Sequence, residues 1–315
     1  MMTGRIFTCD HRVFDLPEPV AWTVVHTGTV PCDSYSMTVP YRPDMADTLR
    51  KAAGFAVIRD GETMLRGIVD EYTVDFGSGG LTATVLGRGY AARLLDNESR
   101  PVTYQGATLA EIVRCHVTPY GITCAETADV RASSVYTVAA GSSQWKALEG
   151  FCRTYGGFSP RFARDGKLLA APRRAGTRLR VGEGDAVLSC TLREDHYGVL
   201  TEVLVIDKTR SAAYSVCNED MIAKGGQCRR VVYTPGQSTW DAMRYTGEYQ
   251  IAQSRAEEKT VTLRLPGVFR AFPDDEVDLD LERMGLSGRF RVEEAENVFS
   301  SGAGASATLT MKEME

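Results

Sequence analysis

The sequence predicts an α+β, β-rich multidomain protein, with two small antiparallel β-barrels at the two ends of the chain and an α/β domain between them. Short runs of β-branched and aromatic residues occupy both ends, apolar residues at helical spacing occur in between, and a residue pattern near position 70 returns near position 293. The predicted domains are an N-terminal β-barrel at 1–98, the α/β domain at 99–175, a connecting β domain with a helix at 176–258, and a C-terminal β-barrel at 259–315.

The N-terminal barrel is predicted from strand signals that follow one another without a helix. Residues 20–41 combine β-branched and aromatic side chains with glycine and proline, which is typical of short strands. Asp60-Gly61 separates two apolar runs and is a hairpin signal. A second hairpin is predicted at 68–86, where the run from Gly77 to Gly80 interrupts the strand pattern.

The middle of the chain predicts helices. Thr108 and Glu111 form a capping box before an apolar stripe that ends near Gly121. A second helix is predicted from Ser142 and Ser143 to Gly156, followed by a hairpin around Asp165-Gly166. The connecting domain contains the apolar strand signal at 198–207 and a helix from Thr239 to about Glu258, although Gly247 disfavours that helix. Its candidate packing residues are Trp240, Met243, Tyr249 and Ile251.

The C-terminal barrel is predicted from four segments between 259 and 315 that alternate polar and apolar residues. One of its hairpins repeats the marks of the N-terminal one. Val69-Asp70-Glu71, Phe76, Ser78-Gly79 and Ala83-Thr84-Val85 are matched in order by Val292-Glu293-Glu294, Phe299, Ser301-Gly302 and Ala307-Thr308-Leu309. The spacing differs by one residue in the glycine turn. A duplicated hairpin is the simplest explanation.

Composition excludes several classes of protein. The chain of 315 residues is 43% hydrophobic and 24% charged, as ordinary globular proteins are. A net charge of −5 disfavours specific nucleic-acid binding, which needs clustered Lys and Arg. No apolar run is long enough to span a bilayer, and the first residues lack an apolar signal core. The eight cysteines lack C-x-x-C spacing and are expected to be free, mostly buried thiols.

No motif predicts a catalytic, cofactor-binding or metal-binding residue. The G-x-G-x-x-A run from Gly87 to Ala92 resembles a dinucleotide fingerprint, but the strand before it closes an antiparallel hairpin, which favours a structural turn. G-x-S-x-G is absent, as is any paired-histidine helix. The four histidines are scattered: His11, His26, His116 and His196.

Paired acids are the remaining candidates for chemistry, because glycosidases act through two carboxylates. The pairs are Asp70-Glu71, Glu194-Asp195, Asp274-Asp275-Glu276 and Glu293-Glu294. Strand alternation places Asp278, Asp280 and Glu282 on one face, which is typical of an exposed sheet face.

Four segments, taken in order, resemble the baseplate hub family of contractile-tailed phages, the Mu-like and PBSX-like hub proteins also called late control D-like proteins. They lie at 61–98, 108–122, 142–172 and 260–299, in the order expected for the family. The resemblance implies a non-enzymatic homotrimer without cofactors, whose two barrels per subunit form a pseudo-sixfold ring between the tail tube and the central spike, together with other baseplate proteins. It also implies a place in the virion tail baseplate or an injection particle, assembled in the bacterial host cytoplasm. DNA or tape-measure protein would pass through the ring. A separate hypothesis, which rests on strand alternation alone, is that acids such as Asp278 line the channel and repel the DNA.

The sequence leaves two other functions open. The first is a tail-associated peptidoglycan hydrolase that uses a carboxylate pair, with Glu194 and Glu293 as candidates. The second is a monomeric glycan-binding module that presents Trp22, Trp145 or Trp240.

Overall fold

The computed structural model describes residues 2–28, 32–78, 80–174, 176–207, 209, 211–234, 239–255 and 258–314. The fold is rich in β-structure. Its strands are β1 Met2–Thr8, β2 Val13–Asp15, β3 Ala21–Thr27, β4 Ser34–Pro40, β5 Ala52–Arg59, β6 Glu62–Ile68, β7 Glu71–Gly77, β8 Gly80–Arg88, β9 Val102–Gln105, β10 Cys124–Thr127, β11 Val135–Val138, β12 Arg161–Phe162, β13 Leu168–Ala170, β14 Arg178–Gly182, β15 Ser189–Glu194, β16 Glu202–Asp207, β17 Ala212–Cys217, β18 Arg229–Thr234, β19 Lys259–Pro266, β20 Glu276–Leu281, β21 Leu286–Ser300 and β22 Gly304–Glu313.

Six α-helices lie within the described residues. They are α1 Ala46–Arg50, α2 Ala92–Leu95, α3 Leu109–His116, α4 Gln144–Phe151, α5 Glu219–Ala223 and α6 Trp240–Arg255. None of them is long and apolar enough to cross a membrane.

A ten-stranded sheet joins the two ends of the chain. Its main path runs β15-β19-β22-β21-β3-β4-β8-β7, and β20 pairs with both β21 and β14. The N-terminal strands also form a four-stranded sheet, β2-β1-β5-β6. Side chains from this sheet and from β3, β4 and β8 share one core that includes Ile6, Met37 and Phe55. A second core, with Leu263, Phe290 and Leu309, lies under the C-terminal strands.

The predicted pair of closed barrels is not found among the described residues. The two ends share one sheet because β21 pairs with β3. In the N-terminal half, β6 and the end of β8 are linked by a single bridge between Gly67 and Gly89. The β-rich class with several sheets is therefore confirmed, whereas the strands at each end form an open structure within the single chain.

The helices of the middle segment begin where the sequence predicts. Thr108 Oγ1 accepts a hydrogen bond from the Glu111 backbone N–H at 3.3 Å, and Ser143 Oγ accepts one from that of Lys146 at 3.1 Å. Helix α4 continues as a π-helical turn, Cys152–Gly156, and ends at Gly157 in the left-handed region. The apolar faces of α3 and α4 pack together in a third core that also contains Leu168.

Helix α6 lies on the sheet β17-β16-β18 and turns Met243 and Ile251 toward it. Gly247 lies between these two residues on the same face, and a Cβ added there would lie 2.4 Å from Val216 Cγ2. The glycine therefore lets the helix approach the sheet. Trp240 and Tyr249 are 56% and 60% exposed, so their prediction as packing residues was wrong.

Candidate functional site at the free edges of the central sheet

The G-x-G-x-x-A run serves backbone packing. A Cβ on Gly87 would lie 2.0 Å from the carbonyl oxygen of Ile68. The strand before the run is antiparallel to both of its neighbours, and α2 after it contains only four residues. Hydrogen bonds from Arg88 to Asp70 and Asp96 raise the pKa of the guanidinium and tie the run to the hairpin. These contacts support the interpretation as a structural turn.

The histidines lie apart from one another. His11 and His196 are exposed. His26 is buried with its Nε2 2.8 Å from the carbonyl oxygen of Met64. His116 is buried between Tyr104 Oη, 2.9 Å from its Nε2, and Gln144 Oε1, 2.7 Å from its Nδ1. No group of three or more His, Cys, Asp or Glu side chains suited to a metal ion occurs among the residues described.

Two of the paired acids, Asp274 and Asp275, are engaged in local contacts. Asp274 forms ion pairs with Arg173 and Arg161 at 2.7 and 3.5 Å. Asp275 accepts hydrogen bonds from the backbone N–H groups of Thr177 and Phe272. Each of these carboxylates thus stabilises the folded chain.

Glu194 and Glu293, each named as a candidate for hydrolysis, are too far apart to act as one pair. Glu293 is buried in β21 and accepts two 3.1 Å bonds from Arg291, whereas Glu194 ends β15. Strands β19 and β22 separate β15 from β21. Three interstrand spacings amount to about 14 Å along the sheet. This exceeds the roughly 9.5 Å upper limit for a glycosidase pair.

The strand face that carries Asp278 and Asp280 is mixed in charge. The two acids alternate with buried Val277 and Leu279, as predicted. Arg178 and Arg289 pair with Asp278, however, and the bond from Arg178 lowers the pKa of that carboxyl. The face is therefore not purely acidic, and repulsion of DNA by this strand stays a prediction.

The aromatic and thiol predictions have mixed outcomes. Trp22 is buried between Phe269 and Phe299, and Trp145 is buried as well, so neither ring can stack on a sugar. Trp240 is exposed. All eight cysteines are free, but only Cys152 is fully buried, while Cys9 and Cys217 are exposed. The expectation of mostly buried thiols was wrong.

The repeated hairpin has the same register in both copies. In β7–β8, Glu71 lies opposite Leu86 and Phe76 opposite Leu81. In β21–β22, Glu294 lies opposite Thr310 and Phe299 opposite Ala305. The shared marks Glu71 and Glu294, and likewise Phe76 and Phe299, thus occupy equivalent positions. The length difference falls in the turn.

The equivalence extends to four strands on each side. The order β3-β4-β8-β7 matches β15-β19-β22-β21, so each set runs first, second, fourth and third in chain order. Neighbouring positions across the two sets also correspond. One row is Trp22, Met37, Val85 and Tyr72, and its counterpart is Cys190, Leu263, Leu309 and Ala295. We call β3-β4-β8-β7 the N module and β15-β19-β22-β21 the C module.

The modules join through different edges. The third strand of the C module, β21, pairs antiparallel with the first strand of the N module, β3, from Glu294 opposite Thr27 to Ser300 opposite Ala21. This joint is well packed. Ala295 and Asn297 are buried, and Phe299 stacks on Trp22 with ring centroids 6.0 Å apart.

The two corresponding outer strands pair with a neighbour on one side only, within the described part of the chain. They are β7, the third strand of the N module, and β15, the first strand of the C module. Every residue of β7 is exposed, and its apolar side chains alternate onto one face. Tyr72, Val74 and Phe76 are 37%, 42% and 85% exposed. Sequence reasoning used Phe76 as a repeat mark and missed this stripe, although the alternation in 71–76 carries the signal.

Unpaired strand edges with an apolar face are templates for strand addition. The outer edges of β7 and β15 are therefore candidate sites for the addition of a further strand. No family model matches the sequence, and no curated protein matches it.

Solved structures do match the fold. The chain is similar to the tail protein from Neisseria meningitidis MC58, with a TM-score of 0.76, 17% identity, and coverage of 99% of this chain and 96% of that one. It is similar to the 43 kDa tail protein of prophage MuSo2 from Shewanella oneidensis, with a TM-score of 0.78, 14% identity, and coverage of 99% and 98%. A component of the Escherichia coli type VI secretion system, itself structurally similar to the T4 tail proteins gp27 and gp5, matches with a TM-score of 0.57, 10% identity, and coverage of 95% and 74%. The chain thus has the fold of phage tail proteins, which confirms the resemblance at the level of fold.

Proposed function

We propose that this chain is a structural, non-enzymatic baseplate hub protein of a contractile phage tail, a tailocin or a related injector. Three copies form a ring that adapts the tail tube to the central spike. The observation that carries the proposal is the duplication of the module within one sheet. The fold shared with tail proteins over nearly the whole chain supports it.

The duplication provides a way to match two symmetries. One subunit places two equivalent modules side by side, so three subunits in a closed ring present six. Identical subunits close a ring through heterologous contacts, in which one edge meets a different edge of the next copy. Each subunit then contributes open sheets in place of two closed barrels, and the neighbouring subunits of the ring complete these sheets.

The partners follow from this position. We propose that one side of the ring meets the tail tube protein, that the other meets the spike, and that further baseplate proteins bind its periphery. DNA or tape-measure protein passes through the ring without specific binding. The particle is the virion or injector, assembled in the host cytoplasm. Likeness to a type VI secretion component supports a place in an injector of this kind.

We also propose the four domains as predicted, at 1–98, 99–175, 176–258 and 259–315. Two separate cores, one with Leu109 and Leu148 and one with Val203 and Met243, support the two inner domains. Strands β14 and β15 lie in 176–258, yet they pair with β20 and β19 of the last domain.

The mass of the assembly tests the hub. Sedimentation of the purified chain over a wide concentration range, alone and with its tail tube protein, should yield a trimer, and electron microscopy should show a ring with six similar lobes. A monomer that stays monomeric with tube protein present, or that clears a cell-wall suspension, would refute the proposal.

A further inference from the structure

We propose that β7 of one copy pairs antiparallel with β15 of the next copy, in the register that β21 and β3 already adopt within each chain. The size of the ring rests on the proposed hub function. The joint itself rests on the duplicated module. The partner of each outer edge is therefore a second copy of this chain, because the strand that would pair there has an equivalent at the β21–β3 joint within the molecule.

The register follows from two equivalences. Phe299 of β21 corresponds to Phe76 of β7, because the two hairpins pair alike. Trp22 of β3 corresponds to Cys190 of β15, because each is the first position of the matching rows. Phe299 lies opposite Trp22 within the chain. Phe76 of one copy should therefore lie opposite Cys190 of the next.

The neighbouring pairs follow with the same offset. Val74 should lie opposite Leu192 and Tyr72 opposite Glu194. The strands have compatible lengths, since β7 contains seven residues and β15 contains six.

The side chains fit this register on the inner face. Ala295, Asn297 and Phe299 point toward the core at the internal joint, so their counterparts Tyr72, Val74 and Phe76 should do so at the outer joint. These are the exposed apolar residues of β7. On β15, Cys190 and Leu192 are half-buried and already pack against the C-terminal core. The joint would extend this core over the apolar stripe.

The opposite face adds charge complementarity. Arg193 should lie opposite Thr73 and diagonal to both Glu71 and Asp75, within reach of a long side chain. Glu71 should lie opposite Asp195, so like charges meet only at the end of the joint. Arg193 already contacts Asp195, which reduces that repulsion.

A disulfide tests the register directly. Opposed residues of antiparallel strands have Cβ atoms about 4.5–5.5 Å apart, close to the range for a disulfide. Phe76→Cys should therefore bond to the native Cys190 of the next copy. The background carries Cys9→Ser and Cys217→Ser, which remove the exposed thiols. Oxidation is run at mildly alkaline pH, because burial raises the pKa of Cys190.

Oxidised Phe76→Cys protein should run as a covalent trimer on a denaturing gel and return to monomer with reductant. Cys190→Ser added to this variant should abolish the band. Asp75→Cys is the matched control, because adjacent residues of a strand point to opposite faces. Circular dichroism and a thermal scan verify that each variant folds, as expected for substitutions on an exposed strand.

The outcomes separate the joint from the hub. A trimer by sedimentation without a specific cross-link overturns this joint and leaves the hub standing. A cross-link at Cys190 that builds a ladder beyond trimer supports the joint and overturns threefold closure. A chain that is monomeric at every concentration and never cross-links overturns the joint and self-assembly of the chain together.

Discussion

Replacement of Phe76 by alanine should disrupt assembly and leave the monomer intact. The ring is 85% exposed in the single chain, so its removal costs the fold almost nothing. Replacement of a fully buried phenylalanine by alanine costs about 3–5 kcal/mol. Since its counterpart Phe299 stays half-buried at the internal joint, we expect about 2 kcal/mol for each outer joint.

A closed trimer has three such joints, so Phe76→Ala should weaken its formation by about 6 kcal/mol in all. The concentration at which half the chains assemble depends on the square root of the trimer dissociation constant. It should therefore rise by about 150-fold. The prediction is a ratio between two variants, because buried area does not convert directly into an absolute affinity.

Sedimentation or mass photometry over a dilution series measures the shift, and a thermal scan should show an unchanged midpoint. Tyr249→Ala is the matched control, because it removes an aromatic ring of 60% exposure from helix α6. An assembly midpoint that stays within a few-fold of the unmodified protein for Phe76→Ala would refute the reasoning. An equal shift in the control would do so too.

Three further predictions concern the fold. Gly87→Ala places a Cβ 2.0 Å from the Ile68 carbonyl oxygen and should lower the unfolding free energy by about 3 kcal/mol. Gly302→Ala is the control, because its Cβ meets nothing within 4 Å and should change the unfolding free energy by less than about 0.5 kcal/mol. Urea titrations measure both values. Gly247→Ala should lower the unfolding free energy by about 1–3 kcal/mol despite the better helix propensity of alanine. The double variant Gly247→Ala/Val216→Ala should lose less stability than the sum of the losses in the two single variants. Equal stability of Gly247→Ala and the parent would contradict the observed helix position. At mildly alkaline pH the exposed thiols Cys9 and Cys217 should be alkylated in the native protein. Burial raises the pKa of Cys152 to about 12, so this thiol should react only after unfolding. Mass spectrometry counts the labels, and labelling of Cys152 in the native protein would show that its core is open.

Local features of the fold could be predicted because the residues that determine them are close in sequence. Thr108 and Ser143 cap helices whose first free N–H groups lie three residues away. Asp60 and Gly61 both have positive φ, which the tight turn between β5 and β6 requires.

Long-range features could not be predicted in this way. The pairing of β21 with β3 joins positions near 297 and 24, and no local pattern specifies that partner. It decides whether the ends form separate barrels or one sheet. Gly247 shows the same limit, since its cost within a helix is local while its benefit depends on contact with Val216. The candidate site was foreseen only in part, through the repeat that contains Phe76.

The charges of β7 favour β15 over a second β7 as its partner. Two β7 strands could bring their apolar stripes together in an antiparallel pair centred on Val74. Asp75 would then lie diagonal to Glu71 and to Asp75 of the other copy, and like charges so placed oppose pairing. Against β15, the same Asp75 lies diagonal to Arg193. The acids between the apolar residues thus disfavour a twofold dimer and leave the heterologous contact, through which a single kind of subunit can close a ring.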